Sequence, residues 1–173
     1  MLKKLDRKDF DKVYSIMKQS FPQDEYRPYE GQKALLNEES YQIYILTEDE
    51  TDEIKGFITV WEYEKLAFVE HLAVSSKYRN GGLGSRILKE AAKFLGKMMC
   101  LEVELPDTEI ASRRIGFYER NGYYLNKYPY IQPALAEGQN PVPLLLMTTY
   151  KELSEKEFEE VRDLLYEKVY KVI

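Results

Sequence analysis

The sequence predicts one domain of the α/β (α+β) class built on a mixed sheet, and three observations carry that expectation. Apolar runs of strand length alternate with helix-period patterns along the whole chain, which places helices against a sheet. At 173 residues the chain has the length of one domain with a substantial core. Its 44% hydrophobic and 32% charged residues are the balance of a globular chain rather than a disordered one.

Taken in order, "LDRKDFDKVYSIMKQSFP" reads as a first helix. Asp6 stands at its N-cap, Leu5 and Phe10 sit at the positions of a hydrophobic staple, and Phe10, Val13, Tyr14 and Met17 share one face before Phe21-Pro22 stops it. A short helix is expected around Gly31 to Asn37. "YQIYILTE" and "IKGFITVWEYE" read as strands joined as a hairpin across the acidic turn "DETDE". "LAFVEHLAV" is a third strand with few polar interruptions, as suits one buried on both faces. A Gly-rich turn leads into a helix with Leu83, Ile87, Leu88, Ala91, Leu95 and Met98 inward. "MCLEVEL" is a strand stopped by Pro106, and "TEIASRRIGFYER" is a helix stopped by Asn121-Gly122. "YYLNKYPYI" and "PLLLMTTY" are the last strands. Ser154 and Glu157 then form a capping box that opens an amphipathic helix over 154–173, with Phe158, Val161, Leu164, Leu165, Val169 and Val172 inward. One domain over 1–173 accounts for all of this.

Composition narrows the function. A net charge of −5 and a pI near 5.2 argue against a general nucleic-acid binder, which needs clustered positive charge. Cys100 is the only cysteine and His71 the only histidine, so no internal disulfide forms and no Cys/His zinc site can be assembled; no metal is expected. Neither a signal-peptide core nor an apolar run of membrane-spanning length is present, which reads as a cytoplasmic protein without a membrane partner.

The informative segment is "VEHLAVSSKYRNGGLGSRILKEAAKFL", where a strand passes through Gly81, Gly82 and Gly84 into a helix. Glycine weakens a helix by up to about 1 kcal/mol per residue, so a close backbone approach is the natural reason for it here. A Walker loop needs a Gly-Lys-Ser/Thr ending, which "GGLGSR" lacks. A dinucleotide fingerprint needs a third glycine where Ile87 stands. What remains is Arg-x-x-Gly-x-Gly, formed by Arg79, Gly82 and Gly84, at a helix N-terminus able to bind a pyrophosphate.

"HLAVSSKYRNGGLGSRIL" resembles the acetyl-CoA-binding motif of the GCN5-related N-acetyltransferase (GNAT) family, and "RRIGFYERNGYY" resembles that family's second motif. Their order, and the single strand between them, match as well; the resemblance covers about Leu5 to Tyr150. Many members carry an asparagine seven residues before the tyrosine of the second motif, where this chain has Ala111, with Ser112 or Arg113 as substitutes.

The resemblance implies a mostly antiparallel sheet with a splayed central strand pair, and direct acetyl transfer from acetyl-CoA to a primary amine of a small molecule or peptide. Acetyl-CoA, as co-substrate, would lie on Asn80, Gly81, Gly82, Leu83, Gly84 and Ser85, with Arg79 beside them. Backbone N–H groups around Leu72, Ala73 and Val74 would polarise the thioester and pair with the pantetheine arm. Tyr118 stands at the position of the family's acid, which protonates the departing thiolate. Glu70, acting through water, is the favoured base; His71 is the alternative, expected to face the other side of the sheet, and Glu102 and Glu104 are in reserve. The amine would enter past "FPQDEYRPYEG" and "YPYIQPALAEGQNPV", where Asp24, Glu25, Tyr26 and Glu137 could attract a cation. The terminal helix serves packing or a homodimer. A non-catalytic acyl-CoA sensor, or a protein-interaction module on the same fold, is the other class.

Overall fold

Residues 41–62 form the hairpin that their apolar runs predict. β2 (Tyr41–Thr47) and β3 (Ile54–Glu62) pair antiparallel in the register Tyr41↔Trp61 through Thr47↔Ile54. The computed structural model describes residues 1–173, which form two units, Met1–Lys97 and Met98–Ile173.

In the first unit, β4 (Leu66–Val74) adds antiparallel to β3, and a two-residue strand, β1 (Lys3–Lys4), adds to the outer edge of β2. β1 has no sequence signature because both of its residues are exposed lysines. The helices are α1 (Phe10–Ser20), α2 (Tyr29–Ala34) and α3 (Leu83–Leu95). Asp6 caps a 3-10 turn over Arg7–Asp9, accepting from the Lys8 N–H, so α1 itself begins only at Phe10. Phe10, Val13, Tyr14 and Met17 are buried as the period requires. α2 starts at Tyr29, slightly earlier than expected, and tightens into a 3-10 turn over Leu35–Asn37. Ile87, Leu88, Ala91 and Leu95 are the buried face of α3, but Met98 is not on it: the helix ends at Leu95 and Met98 opens the next strand.

Gly56 of β3 fixes how closely α3 can pack. A Cβ there would stand 2.8 Å from the Ala73 carbonyl oxygen and 2.9 Å from Ile87 Cδ1. Only glycine lets the helix that carries the Gly-rich turn lie this close to β3 and β4.

The second unit holds β5 (Met98–Glu104), α4 (Glu109–Arg120), β6 (Tyr123–Gln132), β7 (Val142–Thr149) and α5 (Glu155–Leu164). Its sheet is antiparallel, with β7 paired on one side to β5 and on the other to β6. Thr108 caps α4 by accepting from the Ala111 N–H, and the helix stops before Asn121-Gly122 as expected. The capping box of α5 is formed in both directions. α5 covers its own unit's sheet, with Phe158 packed on Tyr128 and Tyr130. Beyond Leu164 the chain winds as a π-turn over Leu165–Val169. Leu165 and Val169 are buried as expected, but the winding ends at Val169 rather than running to residue 173, so Val172, expected inward, lies beyond it and is half exposed. No helix is long and apolar enough to cross a membrane.

Candidate active site

β4 ends at Val74, and a 3-10 turn over Ser76–Tyr78 delivers the chain to the Gly-rich segment. Arg79 closes this connection, its Nε–H donating 3.1 Å to the Val74 carbonyl. Asn80 and Gly82 take left-handed backbone conformations, φ +66° and +74°, and Gly82 is the N-cap residue of α3. No side chain caps this helix, and a Cβ at Gly82 would have nothing within 4 Å. A helix start with neither a side-chain cap nor a crowding neighbour presents N–H groups and the positive end of its dipole to an incoming anion. Asn80, Gly81, Gly82, Leu83, Gly84 and Ser85 are together in this turn. Leu72, Ala73 and Val74 pair with Ile58, Phe57 and Gly56. Since β4 is the last strand of its unit's sheet, alternate backbone groups of these residues point away from β3.

The expected separation of Glu70 and His71 onto opposite faces is not what forms. The register runs Thr59↔His71 and then Val60↔Val69, so Glu70 is the extra residue of a β-bulge. A bulge suspends strict alternation, and His71 Nδ1 comes within 3.9 Å of Glu70 Oε2. Both side chains are almost fully buried, at 3% and 1% exposure. Arg27 donates 2.8 Å to Glu70 Oε1, and the Trp61 indole N–H donates 3.2 Å to Oε2. Burial alone would raise the Glu70 pKa, but the charge of Arg27 and the bonds from Arg27 and Trp61 outweigh it and hold the carboxyl below the usual range.

His71 is equally engaged. Its Nε2 lies 2.7 Å from the Glu25 carbonyl, which can only accept, so the proton sits on Nε2 and Nδ1 is the acceptor 3.3 Å from Thr59 Oγ1. Burial lowers its pKa, with the Glu70 charge only partly opposing. These contacts anchor the segment after α1 to β4. Arg27 also donates its backbone N–H to Gln32 Oε1, and Gln32 donates to the Tyr41 hydroxyl. Arg27, Trp61 and Gly56 carry no local motif, and sequence reading does not single them out; their roles arise from partners far along the chain.

Tyr118 lies on α4 in the second unit, its ring edge-on to Phe117 and Tyr123. Burial pushes its pKa up to about 12, against a lowering from Arg114. Both reserve carboxylates are partnered: Glu102 accepts from the hydroxyls of Tyr130 and Tyr170 at 2.6 and 2.7 Å, and Glu104 accepts from Arg114 at 3.2 Å. Cys100 is buried and its thiol is pushed well above the ordinary range. The only thiol of the chain is therefore unsuited to form a thioester.

Residues 39–125 match the acetyltransferase (GNAT) domain family. YjbC of Bacillus subtilis (strain 168), by name a candidate acetyltransferase, is 29% identical over 161 residues, 91% of this chain and 80% of its own. The solved structure of a candidate GNAT-family acetyltransferase from Bacteroides thetaiotaomicron superposes with a TM-score of 0.91 at 33% identity, covering 100% of this chain and 99% of that one. An aminoglycoside 6'-N-acetyltransferase complexed with coenzyme A shares the fold at TM-score 0.61 and 19% identity, over 86% and 96% of the two chains. The protein belongs to the GNAT acetyltransferase family.

Proposed function

We propose that this protein is a cytosolic N-acetyltransferase that moves acetyl directly from acetyl-CoA to a primary amine of a small molecule or peptide. The observation that carries the reading is the N-terminus of α3, uncapped by any side chain and opened by left-handed Gly82 at the end of the turn that follows β4. In this proposal the N–H groups of Asn80 to Ser85 hold the pyrophosphate, with Arg79 beside them. The outward backbone groups of Leu72, Ala73 and Val74 receive the pantetheine and stabilise the negative charge that develops on the thioester oxygen.

Tyr118 donates to the departing sulfur. With its pKa near 12 and a thiol near 8.5, complete proton transfer from the phenol alone is uphill by about 5 kcal/mol. Tyr118 therefore acts as a hydrogen-bond donor whose proton moves only as the amine nitrogen gives up its own. Glu70 holds the water that takes the amine's proton on to solvent; paired with Arg27, it remains a carboxylate and does not keep that proton. For an amine of pKa near 10.4, being neutral at pH 7 costs about 4.6 kcal/mol, which such a relay partly offsets.

The test is turnover of acetyl-CoA with a panel of primary amines, followed by mass spectrometry of amine and protein. Acetylated amine with unmodified protein is expected. Tyr118→Phe should slow single-turnover transfer by at least about 10²-fold, the lower end for general acid catalysis, with little change in acetyl-CoA affinity. Transfer at the wild-type single-turnover rate would reduce Tyr118 to a packing residue.

A further inference from the structure

Tyr63 stands one residue beyond β3 and opens the turn into β4. Its backbone is fixed at both polar atoms: the N–H donates 2.8 Å to the Leu66 carbonyl, and its carbonyl accepts from Lys97 Nζ at 2.8 Å. The side chain differs. Its hydroxyl is buried from solvent and has no hydrogen-bond partner. A buried donor-acceptor left unmade opposes folding, so an orphan on a fixed turn calls for a partner from outside the chain.

Position says what that partner is. Tyr63 follows Trp61 by two residues, and its N–H bond to the Leu66 carbonyl carries the β3–β4 pairing one step past Glu62↔Ala67, so the alternation extends to it and puts it on the Trp61 side. That is the face on which the Trp61 indole reaches Glu70 and on which Trp61 packs against Tyr41. Burial raises the phenol pKa, and the negative charges of Glu70 and Glu38 raise it further. A negative local potential disfavours an anion and favours an N–H donor.

We propose that the Tyr63 hydroxyl is a binding contact for the acceptor amine, its oxygen accepting an N–H of the amine on the face of β3 shared with Trp61. This rests on the acetyltransferase reading above and adds the residue that recognises the acceptor. The phenol moves no proton; it binds, so its effect belongs in the amine's KM.

Tyr63→Phe tests this with spermidine, n-butylamine and glycinamide as probes. Expected are an amine KM raised about three- to tenfold, as for one lost neutral hydrogen bond, an unchanged affinity for acetyl-CoA, and a melting temperature equal to or above wild type. A lowered melting temperature means that the hydroxyl is bonded within the fold and overturns the proposal. So does an unchanged amine KM. If the wild type acetylates none of the three, the acetyltransferase reading fails on its own account. Tyr63 is then judged by equilibrium binding of spermidine measured by NMR: weaker binding to Tyr63→Phe sustains the contact, while equal binding, or no binding to either protein, overturns it.

Discussion

Arg27 and Glu70 lie 43 residues apart in the chain, and their pairing decides what Glu70 can do. Both side chains are nearly excluded from water, so removing either partner leaves the other charge buried without compensation. Glu70→Gln should therefore cost about 3–5 kcal/mol of stability by urea unfolding, and Arg27→Met combined with Glu70→Gln should recover most of the loss. A single variant as stable as wild type would show that the pair holds nothing.

The neighbouring His71 gives a pH signature. Its folded pKa lies below 6.5 because burial disfavours the imidazolium, so the unfolded chain binds the proton more readily. Stability is then full above about pH 6.5 and falls with acid through the folded pKa, by at most about 1.4 kcal/mol per pH unit. Since His71 is the only histidine, no other side chain with an ordinary pKa titrates in that range. Glu70, held below 4.5, adds a further loss only below that pH. Unfolding free energies that are flat from pH 7.5 to 5 would contradict this; His71→Asn should flatten them.

At the scale of elements, the packing of α3 on β3 and β4 depends on one missing methyl. Gly56→Val should force the Ala73 carbonyl and Ile87 apart, lowering the melting temperature and weakening acetyl-CoA binding together, because the turn proposed to hold the cofactor rides on that helix. A stable variant with unaltered binding would break the link. The elements themselves were largely legible, since β4, α3 and α4 are set by local chemistry: apolar runs, the cap at Thr108, and the stops at Asn121 and Pro106. What was not legible depends on partners distant in sequence. The bulge at Glu70 needs the register against β3, the lysine strand β1 needs the edge of β2, and the π-turn after Leu164 follows no local sequence signal. The same division holds for the site: the Gly-rich turn and Tyr118 lie in contiguous motifs, whereas Arg27, Trp61 and Tyr63 acquire meaning only when β3, β4 and the segment after α1 come together.

Across the whole molecule, a chain of net charge −5 that takes acetyl-CoA as proposed must receive a highly anionic nucleotide, so attraction has to be local rather than global. The uncapped start of α3 is where we propose that acetyl-CoA binds. Calorimetric titration of acetyl-CoA into wild type and Gly84→Val tests this most directly. Gly84 is the second residue of α3, where valine is no worse a helix former than glycine, so the helix should form in the variant, while on the proposed reading the added side chain obstructs the phosphates. Clear binding to wild type and its loss, by at least about tenfold, in Gly84→Val with circular dichroism unchanged are expected. Equal affinity in the two folded proteins would contradict it.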